Sequence, residues 1–376
     1  MLTVRVLDGV ADVEAAVWDG LVAGRTPWLE HAFLAAVETG SAVPRHGVAP
    51  RHVTLWDGER LVGLAPLYLK ADARGEFFYG AWPELVAARA SRRWYPKLVS
   101  MAPFSPVEVE HLVLEPGLAP ALVDARRAAL FEAARDVARA EGASGVHWLF
   151  VPPAEAAWLA GRGALLRAQA HPVWSRAGER TFEDYLAGMR SKERVRTRRE
   201  LRRLDEAGVT IEPLEGDAVE AEDLARMEGW YRASCARHAT GSDYLKPATW
   251  RELLAWRRHL VLFVARRGGA PIGGSLCVRG RDDLWGRYWG AAEDVPFVFF
   301  ALTAYRPIAW AIERGLARVH AGAGATLHKV LRGYASVAAE GALDLLDPAL
   351  ARALAPYAAR ERELVAAAVG ARTSPA

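Results

Sequence analysis

Residues 51–69 read RHVTLWDGERLVGLAPLYL, and residues 259–278 read HLVLFVARRGGAPIGGSLCV. Each is a pair of aliphatic, β-branched runs hinged on glycine. The first turns at Asp57-Gly58 and the second at Gly268-Gly269, dipeptides that accept the positive φ of a tight hairpin. Shifting the first stretch by 210 residues places Gly58 on Gly268, Val62 on Ile272 and Gly63 on Gly273. The order around both hairpins is also the same: helices, hairpin, helix, short strand. A duplicated α/β unit explains this echo, with a boundary near residues 161–179.

Outward from the hairpins, strand and helix signals alternate in the manner of an α/β or α+β chain. Pro120–Glu141 is an amphipathic helix with proline in its first turn, and Gly145–Phe150 is a strand. Phe182–Glu206 reads as one long charged helix; Ala221–His238 and Ala248–Arg258 also read as helices. His259–Ala265, Pro271–Val278 and Leu284–Trp289 form a meander. Phe297–Glu313 is predicted as a buried helix feeding a strand at Ala317–His320, and the last ~40 residues as Ala/Leu-rich helix with a disordered RTSPA end. The expected domains are 1–170 and 171–345, the second carrying the basic helix 182–206, with a C-terminal helix and tail over 346–376.

Composition narrows the function. The 376 residues are 52% hydrophobic and 25% charged, which excludes a disordered, collagen-like or coiled-coil chain. Lys+Arg 48 against Asp+Glu 45 leaves a net charge of +3, too little for the whole surface to trap a polyanion. Basic function must be local, and DNA is not an expected partner. Cys235 and Cys277 supply at most one disulfide and no Cys-based zinc site. There is no H-E-x-x-H, no G-x-S-x-G and no Asp-rich loop, so no metal is expected. The N-terminus lacks a signal-peptide pattern, and the longest apolar run, Phe297 to Ile312, is broken by Arg306 and Pro307. A reduced, cytoplasmic protein with no membrane span is the expectation.

Between Arg190 and Arg203 there are eight cations and two acids. On a helix Lys192, Arg196, Arg199 and Arg203 fall within about 60° of one another, a stripe suited to polyphosphate or RNA, or else a solvated face laced by i,i+4 pairs. A second cluster, HAGAGATLHKVLRGY from His320 to Tyr334, holds His328, Lys329 and Arg332, at least two of which can meet one anion, beside Gly322 and Gly324, which allow close backbone approach or form only a turn. Tyr288 and Trp289 point to opposite faces if Leu284–Trp289 is a strand. Tyr95-Pro96-Lys97 and the loop Pro103–Val107 resemble the wall of a site. Cys235 and His238 lie i, i+3 on one helix but read as packing, as does His147.

LVGLAPLYLK (61–70), GEFFYGAW (75–82), YPKL (95–98), PFSPV (103–107), HWLF (147–150), FEDYLAGMRSKERVRTRRE (182–200), GRYWG (286–290) and HKVLRGY (328–334) occur in this order. Together they resemble the FemAB-like group of N-acyltransferases, relatives of the Fem peptidoglycan aminoacyltransferases within the Gcn5-related N-acetyltransferase (GNAT) superfamily. The resemblance implies two tandem GNAT-like domains, each a mixed twisted sheet flanked by helices. It implies transfer of an acyl or aminoacyl group, from acyl-CoA or aminoacyl-tRNA as co-substrate and with no tightly bound cofactor, to an amine. That acceptor would be a peptidoglycan precursor or a small metabolite. The other implied class is a non-catalytic tandem-GNAT module binding a phosphorylated or peptidoglycan-precursor ligand.

In such relatives a lysine and aromatic residues late in the second domain contact an anionic ligand, and Lys329 and Tyr288 match them. Lys329, His328 and Tyr288 are therefore the catalytic candidates, with Lys192, Arg196, Arg199, Arg203, Arg332, Tyr95 and Lys97 as substrate- or phosphate-binding residues. Leu327 stands where the family usually has an acid, and PFSPVEVEH lacks a threonine-glycine continuation. The stretch 290–297, where GNAT enzymes hold a CoA pyrophosphate, carries Glu293 and Asp294 and no R-x-x-G-x-G. If the stripe holds a phosphate backbone, changing Lys192, Arg196, Arg199 and Arg203 together to Gln should weaken tRNA binding and flatten its salt dependence by up to about four counterions. Unchanged binding with an unchanged melting temperature would make the stripe a solvated face.

Overall fold

The computed structural model describes residues 2–78, 80–236, 244–323 and 327–370. The chain forms two units. The first contains residues 1–169, 244–252 and 338–368, and the second 170–243 and 253–337 together with the last residues of the chain.

In the first unit, β1 (Leu2–Leu7), β3 (His52–Asp57), β4 (Arg60–Ala65) and β7 (Val113–Leu114) make an antiparallel sheet in the order β1-β3-β4-β7. Pro66, which has no N–H to give a ladder, ends β4. The chain resumes as β5 (Tyr68–Lys70), pairing with β2 (Val48–Pro50) and β6 (Lys97–Ser100). β6 runs parallel to β8 (Gly145–Val151). The helix Pro120–Ala140 begins with proline and lays Leu130, Phe131, Ala134 and Ala138 into the core. Leu130 and Phe131 contribute roughly 2–3 kcal/mol each by burial.

β9 (Leu165–Ser175) leads into the second unit, whose sheet continues with β10 (Val209–Glu215), β11 (Leu260–Arg267), β12 (Ala270–Arg279), β13 (Asp283–Ala291) and β14 (Arg318–His320). The strand order is β10-β11-β12-β13-β14-β9, with only β13 and β14 parallel. The duplication is visible in detail. Pairing shifts register at Leu55/Trp56 in the first hairpin and at Ala265/Arg266 in the second, again 210 residues apart. The last strand of each half is exchanged: Val173–Ser175 of β9 pair with β14 in the second unit, and the C-terminal part of β15 (Ala335–Leu345) pairs with β8 in the first. The mixed α/β architecture of two repeated units, each with a sheet flanked by helices, is the one found.

Several expected elements differ. The charged helix 182–206 is two helices, Phe182–Gly188 and Ser191–Glu206, separated by extended Met189 and Arg190. Gly188 ends the first, Arg194 donates to the freed carbonyls of Ala187 and Met189, and a capping box at Thr181 and Asp184 opens it. The helix 297–313 is interrupted by a π-helical turn, Ala301–Tyr305, between Val298–Phe300 and Arg306–Glu313. The last 40 residues are not all helix, because β15 precedes the helix Pro348–Gly370. That helix packs within the first unit, where Glu361 receives hydrogen bonds from Trp82 and Arg167. His238, Gly324 and the RTSPA end lie outside the described residues.

The helix Ala221–Ala236 crosses β12 and β13 where glycine removes the side chain: a Cβ on Gly290 would stand 2.2 Å from the carbonyl carbon and oxygen of Trp230. Gly290→Ala should therefore cost about 2 kcal/mol or more by forcing helix and sheet apart. Gly229→Ala, in the same helix with no atom within 4 Å of its Cβ, should be neutral or stabilise by up to about 1 kcal/mol. Denaturant unfolding of the two variants checks the contrast.

Candidate active site

Two irregularities of β13 build the site. Pairing with β12 steps from Cys277↔Gly286 to Leu276↔Tyr288, which leaves Arg287 as the extra residue of a bulge, a device that re-aims a side chain. On its other edge β13 pairs with β14 at only three positions, ending at Trp285↔His320, while β13 itself continues to Ala291. Beyond His320 the strands part, and the chain leads through Gly322 toward the short helix Leu327–Val330.

Cations collect at this fork. Lys329 donates to the carbonyl of Ala323 at 3.1 Å, and burial pushes its ammonium down to about 8. His171 on β9 is buried, and desolvation, followed by the charges of His320, Lys329 and Arg287, pushes it down to about 4. His320 lies at hydrogen-bond distance, 2.7 Å, from Asp283 Oδ1 and stacks on Trp285. Burial alone would raise Asp283, but hydrogen bonds from His320 and Arg318 outweigh it and hold the carboxyl at about 2. Asp283 is thus a fixed anion orienting His320.

An aromatic wall rises beside the cations. Trp289 meets Phe299 edge-on at 4.6 Å, and Phe299 and Phe300 each stand 5.8 Å from the His328 ring. Both phenylalanines immediately precede the π-helical turn, a feature often found at functional sites. Desolvation, then Lys329 and Arg332, lowers His328.

Beneath lies Arg332, 4% exposed. Its guanidinium donates to both oxygens of Glu200, at 2.9 and 2.7 Å, to Tyr305 Oη at 2.8 Å and to the His328 carbonyl at 2.9 Å, and it lies over the Phe300 ring. Tyr305 donates to Glu200, and Tyr185 donates to the Arg332 carbonyl. This network ties the basic helix, the π turn and the segment bearing Lys329 together.

The sequence profile of the FemAB-like family, described as peptidoglycan biosynthesis/recognition, matches residues 9–375. The chain belongs to the FemAB-like family. Among solved structures, FemX is similar at 11% identity, over 89% of this chain and 96% of that one, with a TM-score of 0.53. The C-terminal domain of a proposed lysylphosphatidylglycerol synthetase from Agrobacterium fabrum is 13% identical over 97% of this chain and 100% of that one, with a TM-score of 0.51. A conserved protein of unknown function from Bacteroides thetaiotaomicron is 10% identical, over 91% and 100%, with a TM-score of 0.53. These likenesses show the fold. No curated protein sequence matches the chain.

Of the site residues read from the FemAB-like sequence, Lys329, His328 and Arg332 come together, but Arg332 meets Glu200 rather than an open surface. Tyr288 is not on their face of the sheet. It packs edge-on against Tyr231 of the helix Ala221–Ala236 and stays in touch with the fork through Arg287, which lies over its ring at 4.9 Å and donates to its hydroxyl at 3.4 Å, whereas Trp289 lies opposite Ser275, whose hydroxyl bonds to Leu302 on the other side. The aromatic partner of the His328 wall is therefore Trp289, as strand alternation requires. Lys192, Arg199 and Arg203 are exposed and Arg196 half-buried, with Arg203 beside Glu206 at 3.3 Å. Tyr95 and Lys97 belong to the first unit, Lys97 buried against Glu76. Glu293, one of the two acids in the stretch 290–297, is paired with Arg267. Arg287, His171, His320 and Asp283 were not legible as a site, since a bulge and a parallel register unite them. Among the described residues no helix is long and apolar enough to cross a membrane, and no cluster of metal-ligating side chains occurs.

The burial of Lys329 has a chemical signature. Trace acetylation with acetic anhydride across pH, read by peptide mapping, should give Lys329 a reactivity midpoint near 8, because only the neutral amine reacts. A midpoint near the ~10.4 of a solvated lysine would mean that the ammonium is not desolvated.

Proposed function

We propose that this FemAB-like protein is an N-acyltransferase that moves an acyl or aminoacyl group from an ester or thioester donor to an amine. The observation that carries the reading is Lys329, a partly desolvated ammonium at a sheet fork, whose charge acts together with those of His320 and Arg287 on the buried His171. Acyl transfer needs two things: a base for the attacking amine and a positive charge for the oxyanion. In this reading His320, fixed by Asp283, takes the proton as the amine nitrogen attacks the carbonyl carbon. Lys329 stabilises the negative oxygen of the tetrahedral intermediate, whose collapse breaks the C–O or C–S bond and gives the proton to the leaving oxygen or sulfur. Trp289, Phe299 and His328 provide an apolar wall for the acyl chain.

The exposed cations Lys192, Arg199 and Arg203 support a polyanionic donor, so aminoacyl-tRNA is the preferred donor and acyl-CoA the second. The acceptor amine is a cell-wall precursor or a small metabolite, in keeping with the family description. Incubation with charged tRNA or acetyl-CoA and an amine panel, analysed by mass spectrometry, tests the reading. Saturable binding without product from any pair would support a recognition module instead. With an active pair in hand, Lys329→Met should keep the fold and lower kcat by ~10²-fold or more. A raised donor KM at unchanged kcat would mean that Lys329 only binds the donor. Because Lys329 loses its charge near pH 8, the rate should fall above that pH, and Lys329→Arg should move this alkaline limb upward.

A further inference from the structure

A second group of charges is buried in the first unit, around Lys97, one of the residues expected from the sequence to bind substrate or phosphate, and apart from the fork. Lys70, Glu76 and Lys97 are 3%, 5% and 3% exposed. Lys97 donates to Glu76 Oε2 at 2.7 Å. Lys70 Nζ donates to the Arg74 carbonyl at 2.8 Å and stands 4.0 Å from Glu76 Oε1, an oxygen with no hydrogen-bond partner. Two ammonium groups therefore share one carboxylate. Lysine is almost never buried without a full partner, and an uncompensated buried charge is costly. His147, opposite Val99 in the parallel β6–β8 pair, is also buried with its Nε2 unpartnered, edge-on to Trp94 at 4.7 Å. Desolvation, and then the charges of Lys97 and Arg167, holds this ring neutral.

Aromatic rings enclose the group. Lys97 Nζ lies 5.3 Å from the centre of Trp94 and 5.1 Å from that of Tyr95, and Lys70 Nζ lies 5.8 Å from that of Phe104. Phe104 and Phe77 both pack on Tyr244, at 5.5 and 5.3 Å. Tyr95, Phe77 and Tyr244 are half-buried, so the charges sit behind a partly open aromatic rim. Phe77 and Phe104 hold φ of 58° and 52°, a left-handed conformation that is strained for bulky side chains and persists only where surrounding structure enforces it.

We propose that the Lys70–Glu76–Lys97 cluster binds the end of a ligand that carries a carboxylate next to an amide N–H: an N-acylated amino acid or a peptide C-terminus. The cluster has one cation in excess and one carboxylate oxygen without a donor. A bare carboxylate would balance the charge and leave Glu76 Oε1 unpartnered; an amine would partner Oε1 and add to the excess charge. A carboxylate with its own amide N–H meets both needs: its oxygens accept from the two lysines and its N–H donates to Glu76 Oε1. The aromatic rim favours an apolar side chain on that residue. This inference does not rest on the acyl-transfer reading, since it requires binding alone.

Calorimetric titration of the full chain with three probes tests it: N-acetyl-L-phenylalanine, its amide (no carboxylate), and 3-phenylpropanoate (no amide N–H). N-acetyl-L-phenylalanine should bind saturably, and removing either group should weaken binding about 10-fold or more, the scale of one charge-assisted contact. Lys97→Met should abolish binding, and Lys329→Met should leave it unchanged. Absence of saturation at about 10 mM, equal affinity for all three probes, or loss of binding in Lys329→Met in place of Lys97→Met would each overturn the proposal. The wild-type series decides the matter even if the lysine variant fails to fold.

Discussion

The second unit is organised around one buried ion pair. Arg332 and Glu200 are separated by 132 residues and meet through two hydrogen bonds with almost no solvent access. Breaking such a pair from one side leaves a stranded charge, at a cost of roughly 3–5 kcal/mol. Its geometry also dictates what surrounds it. The guanidinium holds the His328 carbonyl and Tyr305 Oη, and it covers Phe300. The segment carrying Lys329 cannot shift without leaving Glu200 unpaired. The arginine contributes position, and the neighbouring lysine supplies the charge at the fork.

The duplicated fold gives both units the same opportunity. In each, the sheet changes from antiparallel to parallel at one strand pair, β6 with β8 and β13 with β14. Unusual polar side chains collect at both places: Lys97 and His147 in the first unit, Asp283 and His320 in the second. A parallel pair admits a long connection between its strands, so loops from distant parts of the chain converge at its end. Divergence of the two copies then reads naturally as a division of labour, with a buried, aromatic-walled cluster in one and an open fork with a tuned lysine in the other.

The hairpins were legible because their information is local: glycine at the turns and aliphatic alternation on either side. The 210-residue echo revealed the repeat for the same reason, down to matching bulges that no residue type announced. β15 was not legible, because ASVAAEGALDL has the composition of a helix and becomes a strand by pairing with its neighbours β9 and β8, a tertiary override of weak propensity. The break at Met189 and the π turn at 301–305 each have helix on both sides, and the local signals there, Gly188 and Pro307, do not by themselves say where a helix stops or changes its pitch. At the site, Lys329 and His328 could be found from their glycine-rich approach and family likeness. The choice of Tyr288 over Trp289 turned on which face of β13 meets which helix, a question periodicity alone leaves open. His320 and Asp283 needed the parallel register, which is set by strands far apart in sequence.

The central claim is that the Arg332–Glu200 pair positions and desolvates Lys329. The direct measurement is the acetylation midpoint of Lys329 in the double variant Arg332→Met/Glu200→Gln, which removes both charges together and leaves the local net charge unchanged. The account predicts that the midpoint rises from about 8 toward the ~10.4 of a solvated lysine while the circular dichroism spectrum stays native. A midpoint that remains near 8 in a folded double variant would contradict it, because Lys329 would then owe its environment to something other than the buried pair.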